Sequence, residues 1–129
     1  MENYFKIHLK YAIIAIVLLF SIVYVSLMPS SGLPKVTFKH LDKIVHLSMY
    51  FILSIFMLLG FANLKHKSIF VKSIPIVLSF FCSFSIEILQ ETVTSGRMFE
   101  IFDILANGIG CLIAFFVMKS NFLTKLKYN

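Results

Sequence analysis

Asp42, Lys43, His46 and Tyr50 recur at spacings of three and four, which stacks side chains on one face of a helix. An imidazole with an ordinary pKa of about 6.5 exchanges protons at neutral pH, and a lysine close by offers a positive charge to a phosphate. The same spacing groups Glu87 with Gln90 and Glu91, and Asp103 with Asn107, while Arg97 stands between these two sets. Read as chemistry, Lys43 and Arg97 are expected to contact phosphate, Arg97 in the two-pronged manner that lysine cannot match. Glu87, Gln90, Asp103 and Asn107 would orient hydroxyl or amide groups of a ligand, and Asp42 and Tyr50 would line the same binding site. His46 with Glu87 is the pair expected to transfer a proton if a reaction takes place.

Each group also has a plainer reading. Glu87 and Arg97 could form an ion pair that relieves the burial of the acid. Asp42 and Lys43 could be an exposed pair at a helix start, Tyr50 an interfacial aromatic, and Asp103 with Asn107 a bridge between helices. Glu91, Glu100 and Lys39 read as solvated charges. Metal binding by Asp42, His46, Glu87 and Asp103 ranks below the ion-pair reading, because no HExxH-like or CxxC-like spacing enforces a ligand set. No metal or cofactor is therefore expected. A lone span histidine, His46, leaves haem without a second ligand, and neither a Gly-rich phosphate loop nor a serine nucleophile motif is present.

The elements that must position these residues are membrane helices. Of the 129 residues 59% are hydrophobic and mean hydropathy is +0.91, which leaves no room for a separate soluble domain. Four spans are predicted, at 11–28, 44–62, 73–91 and 101–118, giving an all-α bundle that forms a single transmembrane domain over 1–129. Pro29 to Gly32 should stop the first helix, Ser73 and Pro75 should sit in the first turn of the third, and Thr94-Ser95-Gly96 should turn the chain into the fourth. The uncharged runs 73–86 and 104–118 are shorter than the roughly 20 residues a span needs. Glu87 with Gln90, and Asp103 with Asn107, are therefore drawn below the membrane surface, where a carboxylate costs roughly 2.5–3.5 kcal/mol.

Eight basic residues (Lys6, Lys10, Lys65, Lys67, Lys72, Lys119, Lys125, Lys127) fall on one side of these spans and four (Lys35, Lys39, Lys43, Arg97) on the other. Basic residues are retained in the cytoplasm, so both termini are expected there. The first span is too long for the apolar core of a cleaved signal peptide, and Ser26-Leu27-Met28-Pro29 is a poor cleavage site. The net charge of +6 is scattered between apolar runs and points to membrane orientation rather than to nucleic acid. Cys82 and Cys111 lie within apolar runs and suggest no disulfide. Tyr50, Glu87 and Asn107 lie roughly 5–10 Å below the outer surface at 1.5 Å per residue, in one layer. The inner stretches 54–60, 76–84 and 112–118 carry no acid, base or histidine, and Ala106, Gly110 and Ala114 offer a small-residue stripe for close packing.

Asp42-Lys43-x-x-His46-x-x-x-Tyr50, Glu87-x-x-Gln90, Arg97 and Asp103-x-x-x-Asn107-x-x-Gly110, with Ser26-Leu27-Met28-Pro29 before them, resemble the VanZ-like membrane protein family over about 26–114. Glu100 departs from the pattern, which has Asp there, and keeps the charge on a longer arm. The resemblance implies a small helical protein of the bacterial cytoplasmic membrane that serves the cell envelope, in a family whose name-giving member is associated with resistance to the glycopeptide teicoplanin. The expected function is a polar pocket facing out of the cytoplasm that binds or modifies an anionic lipid or lipid-linked headgroup. The alternative is a non-enzymatic interaction protein whose polar cluster holds helices together, alone or as a homo-oligomer, and a proton-coupled carrier ranks last. Membrane lipids are the expected partners. Reporter domains fused to either terminus should register as cytoplasmic, and an outside signal from either fusion would reverse this topology.

Overall fold

In a computed structural model the described residues are 2–29, 31, 40–61, 68–96 and 98–120, with side chains described from residue 6 onward. Four helices account for nearly all of them: α1 (Glu2–Ser26), α2 (Leu41–Gly60), α3 (Ile69–Val93) and α4 (Ile101–Lys119). Each is long and apolar enough to cross a membrane, and no strand occurs among the described residues. The outward faces carry Phe20, Phe70, Phe81, Phe102 and Phe116, all exposed, whereas Ser79, Ser83, Glu87, Gln90, Asp103 and Asn107 are buried. Apolar outside and polar inside is what lipid as solvent requires, because the hydrocarbon offers no hydrogen bonds to an outward polar group.

The helices alternate in direction, and α2 packs on all three of the others, most extensively on α4. That contact depends on the small-residue stripe expected at Ala106, Gly110 and Ala114, all buried. A Cβ placed on Gly110 would lie 2.3 Å from the Leu47 carbonyl oxygen and 3.0 Å from the Phe51 nitrogen, so the α2 and α4 backbones touch there. At the other end of α2, a Cβ on Gly60 would meet Ala12 of α1 at 3.1 Å.

Helix boundaries differ from the sequence expectation in two instructive places. α1 begins well before residue 11 and so takes in His8, which is buried and donates from Nδ1 to the Leu59 carbonyl at 2.8 Å. A second histidine thus lies inside a candidate span, Lys6–Ser26, at the end remote from His46. α3 starts at Ile69 because the Ser68 side chain accepts from the Val71 N–H, which leaves Pro75 inside the helix rather than in its first turn. The helix continues through it, with the ring fully buried. The predicted end of α2 at Ala62 lies outside the described residues; the helix itself runs to Gly60.

Gly110→Ala should be the most damaging single-methyl change in the bundle, since its Cβ meets backbone rather than a side chain that can move away. Overpacking of this kind costs about 1–3 kcal/mol. Thermal unfolding in detergent should show a clear loss for Gly110→Ala and little change for Gly108→Ala, whose added methyl meets only the Phe80 ring.

Candidate functional site

The N-terminal halves of α2 and α4 and the C-terminal half of α3 meet at one end of the bundle, and their polar residues meet with them. Asn107 is wholly buried; its Nδ2 donates to Ser83 Oγ at 2.7 Å, which turns Oδ1 toward α2. His46 Nδ1 lies 3.2 Å from that oxygen, and because an amide carbonyl only accepts, Nδ1 carries the proton in this bond. Glu87, 1% exposed, brings Oε1 to 3.5 Å from the same nitrogen. On the other side of the ring, Nε2 faces Asp103 Oδ2 at 3.9 Å. The imidazole therefore stands between two carboxylates, one from α3 and one from α4.

Above this layer lies a second group. Lys43 Nζ is 2.6 Å from Asp103 Oδ1 and 2.7 Å from Asp42 Oδ2, and it also pairs with Glu100 Oε2. Asp42 and Glu100 are exposed, so their share of the pairing is screened by solvent; Asp103 is mostly buried and belongs to both groups. His40, Asp42, Lys43, Glu100 and Phe102 line an open recess at this end. His40 adopts a left-handed backbone conformation (φ 72°) as the chain enters α2, a conformation histidine takes more readily than most residues.

Tyr50 is buried beside Ser83 and Glu87, at the inner edge of the layer. Gln90 donates from Nε2 to the Ser26 carbonyl at 2.9 Å, so it closes the C-terminus of α1, an end left open because Pro29 stops the helix. The sequence expectation that Glu87, Gln90 and Glu91 share one face holds for the first two; Glu91 is exposed. Arg97 lies outside the described residues, as does Lys39. Glu100, read from sequence as a solvated charge, is half-exposed yet ion-paired, its longer arm reaching Lys43 across the α2–α4 boundary.

Sequence reasoning overlooked Ser83, which could have been found, since Ser79, Ser83, Glu87 and Gln90 form a polar stripe along one side of α3. It named Ser26 as part of the ending of the first helix but not as the partner of Gln90, because Ser26 acts there through its carbonyl and any residue type supplies one.

The arrangement can do two things chemically. His46, with its ring orientation fixed at Nδ1 and two carboxylates within reach, can hold or pass a proton. One ligand atom from each of His46, Glu87 and Asp103 also lies within 4.8 Å of the others, as does one from each of Asp42, Glu100 and Asp103.

The VanZ/LLP1 family model matches residues 4–124, nearly the whole chain. The chain belongs to the VanZ/LLP1 family. Together with its four span-length helices this makes it an integral membrane protein, in contact with membrane lipids. No curated protein and no solved structure matches it. In this VanZ/LLP1 protein the residues that carry the sequence resemblance fall into two places: Asp42, Lys43, His46, Tyr50, Glu87, Asp103 and Asn107 in the polar layer, and Ser26 with Gln90 at the joint between α1 and α3.

Asp103→Asn should destabilise the bundle more than Glu100→Gln, by about 1–3 kcal/mol against under about 1 kcal/mol, because the first leaves Lys43 without its buried partner and the second removes a screened contact. Parallel unfolding curves in the same detergent decide the order.

Proposed function

We propose that the polar end of this bundle binds, and through His46 and Glu87 acts on, the headgroup of an anionic envelope lipid or lipid-linked precursor. The observation that carries this reading is the placement of an ionisable, nearly water-free layer directly beneath an open recess. A phospholipid or polyprenyl-linked molecule lying beside the helices would bring its headgroup to this depth. Phe102, on the recess wall and 65% exposed, would meet the upper acyl or prenyl chain. Lys43 and Arg97 supply the positive charge that a phosphate needs; Lys43 must share its ammonium with the carboxylates around it, so Arg97 carries the larger part. Asp103 and Asn107 orient hydroxyl or amide groups, with Asp42 at the rim and Gln90 and Tyr50 beneath. For proton transfer, His46 is the group that exchanges, and Glu87 stabilises its charged form. An activity of this kind at an envelope precursor would connect the chain to the glycopeptide resistance associated with the family's name-giving member. In this reading the recess faces away from the cytoplasm.

The rival reading is helix glue. It is favoured by one specific observation: the His46–Asn107–Ser83 run of hydrogen bonds joins α2, α4 and α3 in a single chain of contacts. Interhelical hydrogen bonds in membranes average about 0.6 kcal/mol and reach about 1.7, so the two bonds of this run contribute about 1–3 kcal/mol to holding α2, α3 and α4 together.

Lipid extraction and mass spectrometry of the gently purified protein should find one phospholipid or polyprenyl-linked species enriched over bulk membrane. Its amount should fall about tenfold or more in Arg97→Ala, the loss of about 1.4 kcal/mol or more expected for a charge-assisted phosphate contact, and less in Lys43→Ala. Retention unchanged in both variants removes the phosphate contact. Loss of folded Glu87→Gln and His46→Ala protein, with no lipid enriched in wild type, gives the case to glue.

A further inference from the structure

The two clusters of ligand atoms at the polar end are not equivalent. In the outer one, Asp42, Glu100 and Asp103 already surround the Lys43 ammonium, so an alkylammonium stands where an ion would. The inner one, His46, Glu87 and Asp103, takes one residue from each of α2, α3 and α4. All three are more than nine-tenths buried, and its donor atoms are at most 4.8 Å apart. Two donors on one ion, with bonds of about 2.0–2.2 Å, stand up to about 4 Å apart, so closure takes small side-chain rotations rather than helix movement.

One further feature suits an ion. Metal-bound histidines almost always donate their second ring nitrogen to a fixed acceptor, which sets the tautomer and aims the lone pair. Here His46 Nδ1 is held by Asn107 Oδ1, itself fixed by Ser83, and Nε2 is left facing Asp103. Glu87 Oε1 is 3.5 Å from Nδ1, so Glu87 is the side chain that must turn toward Nε2 to complete the set.

We infer that His46, Glu87 and Asp103 form a binding site for a first-row divalent metal ion, of the zinc or manganese class that accepts one imidazole and two carboxylates. The ion joins three helices and presents positive charge beneath the recess. Its role toward a headgroup rests on the proposed function; its binding does not.

The test uses the full chain, purified in detergent, stripped with a chelator and titrated with Co²⁺ as an optical probe and Zn²⁺ as competitor, with metal content read by mass spectrometry. One Co²⁺ per chain is expected, with visible ligand-field bands that Zn²⁺ abolishes, and with affinity falling at least about tenfold in Asp103→Asn and in His46→Ala. Asn107→Ala, which removes the acceptor for Nδ1 but no ligand, should weaken binding about tenfold while keeping the bands. Folded wild-type protein that takes up neither ion overturns the inference whatever the variants do, and so does uptake that no variant diminishes. Lipid extracted from the same samples separates the two readings. A headgroup ligand retained without metal leaves the proposed function standing and removes the ion, whereas stoichiometric metal with no enriched lipid does the reverse.

Discussion

A polar group inside a membrane bundle has no water to fall back on, so every hydrogen bond it makes must come from the protein, and one too long to bend back on its own helix must find another. This constraint fixes most of what is particular about the structure. Asn107 sits on a face of α4 that lipid must not see, and the way to hide it is to bring α2 and α3 against it. His46 reaches its acceptor at 3.2 Å only because α2 and α4 run in backbone contact, and they do so because Gly110 has no side chain between them and the Leu47 carbonyl. The glycine and the histidine are parts of one device, although they lie more than sixty positions apart in the chain.

The apolar surface explains much less. Phe20, Phe81 and Phe116 face outward, and transfer from one apolar neighbour to another changes little, so they keep the helices in the membrane without saying how the helices should meet. Register comes from the polar layer. Shifting α4 by one turn would part Asp103 from Lys43 and Asn107 from His46 together, leaving several buried groups unsatisfied at once. Gln90 does the same for α1, holding its frayed C-terminus by a single bond to the Ser26 carbonyl.

These contacts divide what sequence can and cannot tell. Four span-length helices were legible because they follow from run length and hydropathy, which are local. The end of α1 was not: Lys6, His8 and Lys10 break the apolar run, yet the backbone stays helical, and His8 finds a carbonyl on α2 that no local pattern reveals. The start of α3 was not legible either: Ser73 and Pro75 suit a first turn, but the Ser68 side chain caps the helix earlier in the chain. Glu91, read as a solvated charge although its spacing groups it with Glu87, is exposed for a geometric reason. The buried side of α3 is centred near Ser83 and Gln90, so Glu87 lies at its border and Glu91, about 40° further round, lies beyond it. Which carboxylate Lys43 would choose was undecidable from spacing, because Asp42 is its neighbour in the chain while Glu100 and Asp103 are its neighbours only in the fold.

The one-sidedness of the polar layer bears on the class of function. A relay across the membrane needs groups that accept and release protons at intervals along the path. Below Tyr50 the buried polar side chains of the described bundle are Ser54 and Ser79, with the Met57 sulfur accepting from Ser79 and Cys111 near Ser54, and the next buried imidazole is His8 at the opposite end. Hydroxyls tied to backbone and sulfur do not carry net charge from one face to the other. In the proposed function, an ionisable layer with a recess above it and few polar side chains below it takes its ligand from one side and returns it to the same side. That suits a ligand anchored in the membrane, whose tail already occupies the lipid and whose head has only a short distance to travel.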